Sequence, residues 1–250
     1  KLGNKLVAQL YTLLDRSDKI YGITREICDK YSAMTGREVT ELKKGCRFIN
    51  PVKSIYGQPI KIVYAGNLLY GRIDALLNLV NVLQRINRVN DMFRLEIYSG
   101  THVSEDVKRK LTIPAVSSFM GERNNNEIIK ILSDADILLH IESFLPKEIE
   151  KVRYSFSTKI IDCLQSGNVI MAVGPGELSS IKYVKKIPGA IVIDRVEQTF
   201  QILREISLNN EELYERALQI RKYAEENHDL DKNRKRLLSD FKQLMGRKEI

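Results

Sequence analysis

The strongest constraint on the fold is an alternation of strand-like and helix-like segments that starts at Lys61. KIVYAG reads as a strand closed by Gly66. RIDALLNLVNVLQRI reads as an amphipathic helix with Ile73, Leu76, Leu77, Val80 and Leu83 on one face. FRLEIYSG is the next strand, SEDVKRKL a short helix, AVSSFMG a third strand and NNNEIIKILSDA a helix. DILLHIES is the fourth strand, STKIIDCLQSG a helix, NVIMAVG the fifth strand and GAIVIDR the sixth. Such alternation, with Gly or Ser at the carboxyl end of most strands, predicts an α/β fold with a doubly wound, six-stranded parallel sheet. Ligands of such sheets bind beyond the carboxyl ends of the strands, where the strand order reverses. In the common six-strand order that point lies between the first and fourth strands, so the loops after Gly66 and after His140 are the ones to search.

The flanking segments are less regular. KLVAQLYTLLDR has helical spacing, DKIYGIT is a short β-rich run, and TREICDKYSAMTGRE is a helix opened by Thr24 and closed by Gly36. CRFINP then runs into NPVKSIYGQP, whose Pro and Gly mark a linker. The expected organisation is a first segment over 1–50, a linker over 51–59 and a larger domain over 60–250. The tail of that domain is all helix: EQTFQILREI, NEELYERALQIRKYAEEN and DKNRKRLLSDFKQLM.

Hydrophobic residues make up 43% of the 250 and charged residues 29%, as in ordinary soluble domains. No apolar run approaches the roughly 18 to 20 residues that span a bilayer. The opening segment has charges inside it, unlike a secretory signal. Because the sequence begins at Lys1 rather than Met, a fragment of a longer protein is expected. Cys28, Cys46 and Cys163 lie far apart, in neither a zinc nor a disulfide spacing, which points to reduced thiols and a cytoplasmic address. The net charge of +8 suits nucleic acid, an anionic membrane face or a phosphorylated ligand, or simply a solvated surface on which bases alternate with acids. Nucleic acid is the least favoured, for want of a basic stripe interleaved with exposed aromatics.

Two stretches carry the chemistry. In YAGNLLYGRIDALL, Gly66 ends a strand, and Gly71 precedes a helix whose first charge is Arg72. Glycines admit phosphate close to the backbone, and a helix start offers free N–H groups and a positive dipole end. The spacing is neither GxGxxG nor a Walker loop. In YSFSTKIIDCLQSGNVIMAVGPG, the hydroxyls of Ser155, Ser157 and Thr158 precede a helix with Lys159 in its first turn. A lysine there opposes the helix dipole, and a bound anion compensates; Ser157 as a plain N-cap is the alternative. Asp162, one turn on, suits ribose hydroxyls or a solvated helix face. Gly174 and Gly176 allow close approach of a ligand. His102, His140 and His228 are dispersed and form no metal pattern, and no GxSxG elbow suggests a hydrolase.

Together, IVYAGNLLYGRIDALLNLV, FRLEIYSG, FMGERNNNEIIKILSDADILLHIES, YSFSTKIIDCLQSGNVIMAVGPGE and YAEENHDLDKNRKRLLSDF resemble the donor-binding domain of GT-B glycosyltransferases. The closer likeness is to the large retaining family that makes capsular and other cell-surface polysaccharides, over about residues 60–245. The resemblance implies a Rossmann-like donor domain, and residues 1–50 as the end of an acceptor domain otherwise absent from this chain. It implies transfer of a sugar from a nucleoside diphosphate to the hydroxyl of a saccharide or lipid-linked saccharide, without metal or other cofactor. Peripheral contact with the inner face of a membrane follows from lipid-linked acceptors and the basic charge. The isolated chain is expected to bind a donor and not to turn over. In that family an Arg, and a Lys five positions later, hold the diphosphate; here these places are Asn67 and Arg72. Of its two glutamates eight positions apart, the ribose-binding one falls on Asp162 and the sugar-contacting one on Tyr154, with Glu142, Glu148 or Glu150 as substitutes. The expected donor site is Gly66, Asn67, Arg72, Gly121, Glu122, Glu142, Ser157, Thr158, Lys159 and Asp162. The alternatives are a sugar-nucleotide epimerase on the same scaffold and a non-catalytic nucleotide-binding module.

Overall fold

The computed structural model describes residues 2–48 and 50–246, with side chains from residue 5 onward. Residue 49 of the CRFINP run, and the ends of the expected segments at residues 1 and 250, lie outside them. The chain forms two compact units, Lys1–Arg47 with Asn227–Ile250, and Phe48–Glu226.

The first unit contains α1 (Leu2–Asp15), β1 (Ile20–Gly22), α2 (Arg25–Thr35) and β2 (Val39–Glu41). Thr24 caps α2 through its hydroxyl, which accepts from the Ile27 N–H, and Gly36 ends it at φ +68°. The strand β2, which the sequence pattern did not announce, pairs in parallel with β1. A small core of Ile20, Cys28 and Val39 lies beneath, with Leu14 and Tyr31 packed against it.

The second unit holds the large sheet. Its elements are β3 (Ile60–Ala65), α3 (Arg72–Ile86), β4 (Phe93–Tyr98), α4 (Glu105–Leu111), β5 (Ser117–Gly121), α5 (Asn125–Asp134), β6 (Ile137–Ile141), α6 (Pro146–Val152), α7 (Lys159–Ser166), β7 (Val169–Val173), α8 (Ser179–Lys185), β8 (Ile191–Ile193), α9 (Thr199–Leu208) and α10 (Glu212–His228). The last helix, α11 (Leu230–Gly246), returns to the first unit. There the Tyr21 hydroxyl donates to Asp240 at 2.6 Å, and the Asn233 amide donates to the Lys43 carbonyl at 2.8 Å. The helical tail is therefore divided between the units rather than belonging wholly to the larger one.

The six strands run in parallel in the order β5-β4-β3-β6-β7-β8, the doubly wound order with its reversal between β3 and β6. Every residue of β6 and β7 is buried, as helices on both faces of a parallel sheet require. The buried face of α3 is Ala75, Leu76, Leu79, Val80 and Leu83. Ile73 and Leu77, expected in that face, sit at its half-exposed margin, because the stripe is centred between Leu76 and Val80.

The expected linker is docked on the amino edge of this sheet. The Lys53 ammonium pairs with Asp136 at 2.7 Å, and Asp136 also accepts from the Lys61 N–H at 2.7 Å. The Asn50 amide donates to Ser133, and Arg221 donates to the Asn50 carbonyl. These bonds satisfy backbone and charge that a free linker leaves to water. No described helix is long and apolar enough to cross a membrane.

Candidate functional site

The carboxyl ends of β3 and β6 open onto a cleft of about 560 Å³, lined by Gly66, Asn67, Arg72, Glu122, Ser157, Lys159 and Asp162 among others. The sheet order thus gathers residues from three segments far apart in sequence. Thr158 and Gly121 are outside the lining, and Gly121 ends β5 at φ +71°. Glu142 stands behind Arg72 rather than in the wall.

The start of α3 is built around Gly71. Its φ is +71°, and a Cβ there would lie 2.6 Å from the Ser143 hydroxyl, so any side chain at this turn is both strained and obstructed. The turn makes Arg72 the first helical residue. Its Nε donates to Glu142 Oε2 at 3.1 Å and its Nη2 to Oε1 at 2.8 Å, while Nη1 donates to Asn67 Oδ1. Burial works against the Arg72 cation, but the hydrogen bonds and charge of Glu142 outweigh it and hold the guanidinium above its ordinary pKa. Gly174, expected to admit ligand, instead admits this carboxylate: a Cβ on it would lie 3.0 Å from that of Glu142.

The start of α7 is built differently. Thr158 occupies the N-cap position in a helical conformation, and no side chain caps the helix. Ser157 contributes its carbonyl, which accepts from the Ile160 N–H at 3.0 Å. The plain side-chain cap considered for Ser157 is therefore not what this turn uses. Lys159 is exposed as a residue, but its ammonium reaches into the cleft: a Cβ on Gly66 would lie 2.8 Å from Nζ and 2.7 Å from the Tyr64 hydroxyl. Gly66 is thus the space into which the ammonium fits. Burial of that ammonium, and then the Arg72 charge, lower its pKa.

His140 lines the same cleft and is buried, with its Nε2 3.7 Å from Glu142 Oε1 and without a hydrogen-bond partner. Burial, then Arg72 and Lys159, lower its pKa to about 3, so the imidazole is neutral at pH 7. It is not the satisfied core histidine that an apolar strand suggests. Cys163, also in the wall, is held protonated by burial, with its pKa raised to about 12.

Several expected residues lie elsewhere. Tyr154 is 44% exposed and outside the cleft wall. Glu148 and Glu150 are on α6 rather than in an irregular loop; Glu148 is buried and paired with Lys151 at 3.0 Å, and Glu150 is exposed. His102 is exposed and Gly176 is outside the wall. The wall also includes Tyr64, Ser99, Thr101 and Arg123, which the motifs did not select. Thr101 accepts from the Leu68 N–H at 3.0 Å and fixes the loop after β3, and Arg123 lies over the Tyr98 ring at 5.8 Å. YSGT closes β4 beside β3, so the carboxyl-edge rule applied to this neighbouring strand would have found Ser99 and Thr101. Among the described residues no group of three or more His, Cys, Asp or Glu is arranged to hold a metal ion.

No family model and no curated protein matches the sequence. Solved structures match the fold. WaaG, a glycosyltransferase involved in lipopolysaccharide biosynthesis, superposes with a TM-score of 0.63 at 16% identity, over 83% of this chain and 58% of its own. Anabaena HepE in complex with UDP-glucose gives 0.69 at 11% identity, over 93% and 66%. TarM gives 0.70 at 11% identity, over 94% and 45%. The chain thus spans less than two thirds of each of these chains. At such identities the likeness shows the fold, which is the α/β, Rossmann-like architecture of GT-B glycosyltransferases.

Proposed function

We propose that this cleft holds the diphosphate and ribose of a nucleotide-sugar, and that the chain is the donor-binding part of a glycosyltransferase of cell-surface polysaccharide synthesis. The observation that carries this reading is the convergence of two helix starts, bearing Arg72 and Lys159, on one cleft at the sheet's reversal point. Helix starts with a cation each, lying on either side of one cavity, suit a ligand with two linked phosphates. Asp162 takes the ribose hydroxyls, and Gly66 lets phosphate approach the backbone. The departing diphosphate is stabilised by Lys159, Arg72 and helix amides. UDP-glucose in the similar HepE supports a donor of this class.

In this reading the first unit is part of an acceptor domain for a saccharide or lipid-linked saccharide, and transfer proceeds with retention. Peripheral association with an anionic membrane is part of the same proposal. Its support is α11, which carries Lys232, Arg234, Lys235, Arg236 and Lys242 and exposes Leu238, Phe241 and Met245. A non-catalytic nucleotide-binding module is the second reading, favoured by the position of Tyr154 outside the cleft wall.

The deciding experiment is a thermal-shift screen with nucleoside diphosphates and their sugar esters. A ligand at 100 times its dissociation constant adds about 2.7 kcal/mol of stability. A stabilised chain in which Lys159→Ala diminishes the effect supports the site. Silence across all bases sinks it.

A further inference from the structure

Glu142 has no role in the binding scheme above, yet its side chain is only 4% exposed and both its oxygens are bound to Arg72. With Asn67 on Nη1, every nitrogen of that guanidinium donates to the protein itself. Arg72 therefore faces the cleft as a cation already paired within the protein, with a buried carboxylate directly behind it. Two of the neighbouring groups carry no charge that offsets that carboxylate. His140, 3.7 Å away on β6, is neutral, and burial keeps the Tyr64 phenol on β3 protonated. The Lys159 ammonium on α7 feels burial and Arg72, which lower its pKa, and the Glu142 charge, which raises it. An anion bound at Arg72 thus meets a strong donor and, one guanidinium beyond it, a fixed negative charge in a poorly screened place.

A charge at that position acts differently on the two forms of the ligand. A nucleoside diphosphate has a terminal phosphate whose second ionisation lies near pH 6. In the sugar ester that oxygen is esterified, so at pH 8 the free diphosphate carries one more negative charge than the ester. We propose that Glu142 is a specificity residue for the charge state of the ligand, weakening the free nucleoside diphosphate relative to its sugar ester and so favouring release of the spent carrier. This rests on the nucleotide-sugar reading of the cleft. Glutamine at 142 keeps the shape and one acceptor for Arg72, and it can turn its amide toward the unpartnered His140 Nε2.

The test is calorimetry at pH 8 with four pairs: UDP and UDP-glucose, GDP and GDP-mannose, ADP and ADP-glucose, dTDP and dTDP-glucose. For the pair that binds, the wild-type chain should hold the diphosphate no more tightly than the ester. Glu142→Gln should tighten the diphosphate at least tenfold, about 1.4 kcal/mol, and the ester by less than threefold. An unchanged diphosphate affinity in Glu142→Gln overturns the inference. So does a ratio that shifts only because the ester weakens, which would place Glu142 on the sugar. Should the variant not fold, the wild-type comparison alone decides: a diphosphate held tenfold more tightly than its ester overturns the inference while leaving the nucleotide site standing. Failure of every pair to bind removes the nucleotide-sugar reading, and this inference with it.

Discussion

The helix starts of α3 and α7 face the same cleft and place a cation where the helix dipole disfavours one, but they treat that cation in opposite ways. At α3 the charge is paired from within. Glu142 grips Arg72 with two hydrogen bonds, and Gly174 gives the Glu142 side chain its space. At α7 burial and the Arg72 charge press Lys159 toward its neutral form, and no side chain caps the helix. The first cation is part of the architecture whether or not a ligand is present. The second is placed against its own electrostatics, an arrangement that an anion relieves. Two cations in one pocket thus have different origins, and only their surroundings distinguish them.

The largest expected effect tests the architectural side. Glu142→Ala leaves Arg72 buried without its partner, and breaking a buried pair in this way costs about 3 to 5 kcal/mol. Urea unfolding should show that loss as a lower midpoint. A change under about 1 kcal/mol, the size of an exposed pair, would mean that water already screens Arg72 and that the two helix starts are alike.

Next comes the ligand side. Lys159→Ala should weaken binding of a nucleoside diphosphate by about 1.5 to 3 kcal/mol, the worth of a charge-assisted hydrogen bond, and leave the bare nucleoside nearly untouched. Asp162→Ala should give a loss of similar size with the nucleoside as well, because the ribose is common to both. Parallel losses for diphosphate and nucleoside in Lys159→Ala would make its charge incidental. Titration calorimetry with both ligands separates these outcomes.

The contrast between the helix starts could not be read from the chain alone. The sheet could: six β-rich runs, most of them closed by small residues, and α3, found over the residues its periodicity marked, required only local pattern. The strand order followed because a doubly wound sheet of six strands has one common solution. The strand β2 has three residues, and α6 and α8 have seven each with Leu145 and Leu178 at their N-caps, so they carry little periodic or capping signal. Lys53 looked like linker because its partner Asp136 is distant in sequence. The same holds for α11, tied to the first unit by Tyr21 and Asp240. The cleft was found by rule, and most of its expected residues line it. That Arg72 is already paired was invisible, since Glu142 lies 70 residues away and reads as one acid among several.

A smaller effect links the two helix starts through His140. Its pKa is about 3 in the folded chain, against about 6.5 when unfolded. A base whose folded pKa is depressed stays neutral in the native state, while the unfolded state takes up a proton below pH 6.5. Its contribution is therefore intact above pH 6.5 and is lost progressively as pH falls toward 3, by at most about 1.4 kcal/mol per unit. Between pH 6.5 and pH 5 that is about 1.6 kcal/mol. His228, buried in the first unit and also lowered, acts in the same direction. The readout is therefore the difference between wild type and His140→Gln, whose stability should fall less steeply over this range. Equal slopes would mean that the imidazole is protonated by a nearby acid and that Arg72 and Lys159 do not jointly repel it.

The smallest expected effect is a gain. Without ligand, Lys159 sits at the positive end of α7, within the repulsion of Arg72 and partly enclosed beside Gly66. Each of these disfavours the charged form, so its folded pKa lies below that of the unfolded chain. A base with a depressed folded pKa costs stability wherever the unfolded chain holds its proton, which at pH 7 it does. Removing the ammonium therefore relieves the fold, and alanine adds helix propensity. Relief of a dipole clash is worth about 0.3 to 1 kcal/mol, and Lys159→Ala should raise the unfolding free energy by that much in the absence of nucleotide. Arg72→Ala should do the reverse, because it strands Glu142 in the interior. Opposite signs for the two deletions would show that Arg72 is held by the fold while facing the ligand, whereas Lys159 is held against it. A loss of stability in Lys159→Ala would show that its charge is already compensated by the protein, and α7 would then resemble α3.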